Sequence, residues 1–208
     1  MIPFLKKIYL WIILSGSLIG LNETIVGNID MPYRSAVVSA LTLTLLSIAR
    51  YYFPKIGTSL LIIIIAILFK INSAGIHTCT PNTLLCGPTA LLLLGIGYEI
   101  FASIFISEKL FKYSNYILSC IFTAIVIFGA YAVLQTYILK NWDTSRLLNY
   151  IFVRGSIAGF ASSVLSVIIL YTVMHFKSVN FARLNPNISR AILGFVIIAL
   201  WVLGSFSL

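Results

Sequence analysis

The chain has 208 residues, 60% of them apolar, with only 14 Lys and Arg and 5 Asp and Glu, where an average soluble domain of this length carries roughly 50 charged residues. With a mean hydropathy of +1.05, there is too little polar surface to cover a water-exposed globule, so most of the exterior must face hydrocarbon. An ordinary soluble protein is excluded, and at roughly 20 residues per crossing the length holds a single transmembrane domain, 1–208, without a lobe for an ATPase or nucleic-acid module.

Apolar runs predict helices over 4–21, 32–52, 57–71, 84–106, 115–139, 149–176 and 190–207. The fold class is therefore an all-α polytopic membrane bundle of six to seven transmembrane helices. The third run is short, which suits a tilted or broken span, and the sixth is long enough to begin as an interfacial segment. Lys6 and Lys7 before the first run resemble a signal peptide, but no small-residue cleavage site follows, so an uncleaved first helix is expected. Gly16 and Gly20 in this helix have the spacing that lets two helices approach closely, either within the bundle or at a partner subunit.

The connection Leu21–Arg34 carries Asn22, Glu23, Asn28, Asp30 and Arg34 and is read as an outer loop able to lid a cavity. The second helix carries a small, polar stripe of Ser35, Ser39, Thr42 and Ala49. After the third helix, Asn72–Pro88 is too polar to cross hydrocarbon as regular helix unless it lines protein or water. Within it His77, Cys79 and Cys86 invite a metal reading, but the spacing supplies no second compact ligand pair, and no metal site is assigned. With Cys120 the three cysteines form no CxxC pair and define no disulfide framework.

Glu99, in the run Gly95-Ile-Gly-Tyr-Glu99, is the acid inside a span, where a carboxylate costs several kcal/mol unless paired, protonated or wetted. Gly95, Glu99, Ala102 and Ser103 share one helical face. Glu99 is read either as a ligand or coupling site, or as a packing residue hydrogen-bonded to a Ser, Tyr or Arg of another helix. Further on, Lys140–Arg146 makes a third outer segment, and Gly155, Gly159, Ser162, Ser163 and Ser166 form a small-residue face behind Arg154.

Charge placement orients the chain. With the N-terminus cytoplasmic, nine Lys and Arg fall on the inner side and five on the outer, the bias expected for N-in. The basic residues stand in ones and twos between apolar runs, so the +9 net charge reflects topology and no nucleic-acid partner is expected. No HExxH, GxSxG, paired-acid or phosphate-loop motif is present, which points away from an enzyme, and no cofactor is called for.

In size, in the spacing Gly16 to Gly20, in the inner turn Arg50-Tyr-Tyr-Phe-Pro-Lys-Ile-Gly57, in the Glu99 helix and in Arg154-Gly-Ser-Ile-Ala-Gly159, the chain resembles the substrate-binding S components of energy-coupling factor transporters. The resemblance covers about residues 1 to 176 and is one of layout. It implies a bundle that captures a vitamin or metal ion from outside and docks through its first helix, at Gly16 and Gly20, onto a membrane coupling protein driven by ATPase subunits. The seventh span and the absence of a Met-His start depart from that pattern.

The expectation is a multi-pass cell-membrane subunit that binds a small-molecule solute through Asn22, Glu23, Arg34, Asn72, His77, Tyr98, Glu99 and Arg154, with Gly16 and Gly20 as the partner interface. The alternative is a non-catalytic scaffold or assembly subunit of a larger complex, and behind it a membrane redox or small-molecule enzyme. An interior cavity lined by polar groups favours the first, and a filled interior favours the second.

Overall fold

In a computed structural model of the chain, residues 2–74, 81–106, 112–138, 143–176 and 186–206 are described. Among them every regular element is helical. Helix α1 covers Ile2–Asn28, α2 Arg34–Tyr52, α3 Thr58–Ala74 and α4 Pro81–Phe105. Helix α5 runs over Tyr113–Val133 and passes into a π-helical stretch, Leu134–Ile138. Helix α6 opens as Thr144–Leu148, continues through a second π-helical stretch, Asn149–Gly155, and ends as Ser156–Phe176. Helix α7 covers Pro186–Phe206. Five of the seven helices are long and apolar enough to cross a membrane, and the apolar runs in α3 and α7 are shorter. The chain is a multi-pass, all-α membrane bundle.

The helix ends correct several expected boundaries. Helix α1 runs seven residues past position 21, so Asn22 and Glu23 are helical rather than part of a lid loop. They are tolerated there because each finds a partner on a neighbouring helix, which removes the cost of a polar group in hydrocarbon. The connection to α2 shrinks to Ile29–Tyr33, where Tyr33 takes a left-handed conformation (φ 58°) just before the helix starts. At the other end of α2, Pro54 stops the helix, and Gly57 turns the chain into α3 with φ +89°, a backbone setting that favours glycine. The polar segment 72–88 is largely absorbed too: Asn72, Ser73 and Ala74 end α3, and α4 starts at Pro81, where a missing N–H costs nothing. Pro88 lies inside α4 without ending it.

The helices close a ring in the spatial order α1, α3, α4, α5, α6, α2, and α7 packs outside it against α1 and α3. Of the five long spans, α2 is the most buried. Glycines set the tight contacts. A Cβ at Gly16 would stand 2.7 Å from the Ile62 carbonyl oxygen and from Ile65, and one at Gly20 2.7 Å from Phe69. The face expected to receive a partner subunit is thus filled by α3 of the same chain, a correction that follows from the need of backbones to approach where side chains are absent. Gly155 and Gly159 do the same for α6 on α5, against Phe128 and Ala124 at 3.2 Å. Interior hydroxyls mostly return to the carbonyl one turn back, as Ser17, Thr42, Thr44, Ser47, Thr123 and Ser163 do, which satisfies them without a partner helix. Helix α7 is pinned by the Trp201 indole N–H, which donates to Ser17 Oγ at 2.9 Å, and by an edge-on contact of Trp201 with Phe69.

Candidate functional site

The interior polar groups fall at two ends of the bundle. At the Pro54 end, expected inside, α2, the following turn and the last third of α4 meet. Glu99 is almost wholly buried, and its Oε1 accepts from Arg50 Nη1 at 3.0 Å and from the Gly57 backbone N–H at 2.9 Å. Its Oε2 accepts from the Ser59 backbone N–H at 3.1 Å. The carboxylate therefore neutralises a buried cation and caps the first turn of α3, where unsatisfied N–H groups and the helix dipole favour negative charge. Arg50 Nη1 also donates to the Lys55 carbonyl at 2.6 Å, as does Thr58 Oγ1 at 2.8 Å, so the whole turn is tied to one ion pair. Three donors on one carboxylate answer the cost of burying it, which makes Glu99 a structural clamp.

One residue before Glu99, the fully buried Tyr98 donates from its hydroxyl to Ser47 Oγ at 3.0 Å. Ser47 Oγ lies 3.2 Å from Cys120 Sγ, which lies 3.8 Å from Ser166 Oγ. This chain links α4, α2, α5 and α6 through the core and consumes the polar capacity of Tyr98 internally.

At the opposite end, expected outside, two polar arrangements stand on different sides of the ring. Glu23 on α1 pairs with Lys70 on α3, and Gly87 of α4 leaves the room: a Cβ there would collide with the ammonium group and with Glu23 Oε1. Asn22 Nδ2 donates to the Val38 carbonyl at 3.2 Å, and its Oδ1 is buried without a partner. On the α5 and α6 side, Arg154 Nη1 donates to Ser35 Oγ at 3.2 Å, and its guanidinium lies 5.5 Å from the Tyr150 ring centroid. Tyr150 stacks on Phe128 and leans on Tyr131, whose hydroxyl accepts from the buried Gln135 amide at 3.0 Å. Tyr131 of α5 thus bridges the two π-helical stretches, since Gln135 belongs to one and Tyr150 and Arg154 to the other.

Comparison with protein-family models, curated proteins and solved structures returned no match.

Among the described residues, the expected solute residues do not converge. Tyr98 and Glu99 lie at the Pro54 end, whereas Asn22, Glu23 and Arg154 lie at the other. Arg34, at the start of α2, is exposed. Asn72 borders an open, otherwise apolar groove of about 350 Å³ with Ile13, Ile197, Ile198, Trp201 and Val202, on the α7 side of the bundle. His77 and Cys79 lie outside the described residues, as does the side chain of Cys86. Among the described residues no three His, Cys, Asp or Glu gather closely enough to hold a metal ion.

Sequence reasoning missed Arg50 as the partner of Glu99 by assigning it to topology alone. The available signal was that both residues stand within about two turns of the expected inner ends of their spans. It also missed Gln135 and Tyr150. Nothing in hydrophobic periodicity marks a π-helical turn.

Proposed function

We propose that the chain is a membrane-embedded subunit that captures a small solute from the Arg154 end and relies on partner subunits for energy, in the cell membrane. The observation that carries this reading is the run of side chains that joins two π-helical stretches, on α5 and α6, from Gln135 through Tyr131 to Tyr150 and Arg154. Such stretches weaken the regular i to i−4 ladder and recur at functional sites, where they re-aim side chains that a regular helix would place elsewhere. A cation, aromatic faces and an amide at one end of a membrane bundle are the few polar groups in an apolar setting that fix a small ligand's orientation.

The scaffold reading draws support from the Pro54 end, where Glu99, Tyr98, Gly16 and Gly20 are all absorbed by contacts within the chain. The two readings separate on one experiment. The full chain purified in mild detergent is expected to carry a small molecule visible by native mass spectrometry. A chain that emerges empty, and that no fraction of a host small-molecule extract stabilises against heat, overturns the solute reading in favour of the scaffold.

A further inference from the structure

The charge ledger inside the bundle does not close. Of the five acidic residues, Glu99 is taken by Arg50 and Glu23 by Lys70. Asp30 and Asp143 are exposed. Glu108 lies outside the described residues. Among the described residues Arg154 has no carboxylate partner, yet it stands ten positions into the α6 rod.

The position faces inward. Arg154, Ala158 and Ser162 follow one another at four-residue spacing, and Ala158 and Ser162 are fully buried. The lipid-facing side of the same rod is marked by Phe152 and Phe160, 68% and 71% exposed. Arg154 itself is half-buried, and its one side-chain hydrogen bond goes to Ser35 of α2, across the helix interface rather than out to the bilayer. A guanidinium has five N–H donors in a planar fork, and Ser35 occupies one of its nitrogens while Tyr150 covers a face. The remaining donors match two oxygens of an oxyanion held edge-on, and a cation within a span without a counter-charge is where such an anion gains most.

We infer that the solute is a small organic anion whose carboxylate pairs with the Arg154 guanidinium between α2 and α6. The inference rests on the solute-capturing reading and adds the chemical class. A phosphate could fill the same fork from a lipid headgroup, but the inward face of Arg154 favours a molecule inside the bundle over one in the leaflet.

The test compares small molecules and lipids extracted from purified full-length wild type, Arg154→Gln and Arg154→Lys. A carboxylate-bearing compound is expected with the wild type, falling tenfold or more in Arg154→Gln and less in Arg154→Lys, which keeps the charge and loses the fork. A neutral compound retained equally by all three overturns the inference and leaves the solute reading standing. An anionic phospholipid as the sole Arg154-dependent molecule assigns the fork to a headgroup and overturns it too. A wild type that carries nothing fails the solute reading itself. Because the wild type's bound molecule is identified directly, its charge decides the matter even if Arg154→Gln does not fold.

Discussion

At the Pro54 end, one carboxylate meets a guanidinium and two backbone N–H groups, and a turn, a helix start and a cation are all settled by it. At the Arg154 end, a guanidinium of the same kind meets a hydroxyl and an aromatic face and no carboxylate. Both ends lie in spans of the same apolar bundle, so the cost of desolvating a charge applies to both. The difference teaches that burial of a charge is not in itself a sign of function. Arg50 keeps a buried Nε without a hydrogen-bond partner, yet its charge is met by Glu99 and holds the fold, whereas Arg154 has no carboxylate among the described residues and is available to something else.

The contrast can be broken most forcefully at Glu99. Replacing it by Ala leaves Arg50 buried without its counter-charge and the α3 N-terminus uncapped, and is expected to cost about 3 to 5 kcal/mol of stability in detergent unfolding. Pairing it with Arg50→Met should recover part of that loss, and a double variant as unstable as the sum of the singles would show that the pair is not coupled. Next in size, Gly16→Leu with Gly20→Leu drives side chains into Ile65 and Phe69 and should destabilise by at least about 1 to 3 kcal/mol. Normal thermal stability would mean that α1 does not pack on α3 there.

Smaller effects sharpen the comparison. Lys70→Gln, at a partly exposed pair, is expected to lower stability by about 1.5 to 3 kcal/mol at most. Tyr98→Phe should lose about 1 kcal/mol with its hydrogen bond to Ser47, read by the same unfolding assay. Arg154→Gln is placed last: its thermal midpoint should stay close to wild type, because no ion pair is broken. A drop as large as that of Glu99→Ala would make Arg154 a structural residue and remove the distinction between the two ends.

Much of the architecture was legible because hydropathy reports the solvent. The apolar runs located all seven helices, and the rarity of charge singled out Glu99. The ends were misjudged where polar residues continue a helix: Asn22 and Glu23 read as loop because a sequence shows their polarity but not the Val38 carbonyl and Lys70 that receive them. The same limit hid the role of Arg50, since pairing between helices forty-nine positions apart is a property of packing. Gly16 and Gly20 were legible as a close contact, but spacing alone does not say whether the neighbour is α3 or another chain. Arg154 was named among the solute residues, while its lack of a carboxylate partner among the described residues became visible only in the packed bundle.

The π-helical stretch Asn149–Gly155 makes the length of α6 matter to the placement of Arg154. Tyr150 and Arg154 are brought together by a spacing of four within a widened turn. Removing a single residue between them would rotate one against the other by roughly a quarter turn around the rod, parting ring from guanidinium while leaving both in the sequence. Loss or gain of one residue in this stretch is therefore expected to disturb the Tyr150–Arg154 contact more than most substitutions nearby.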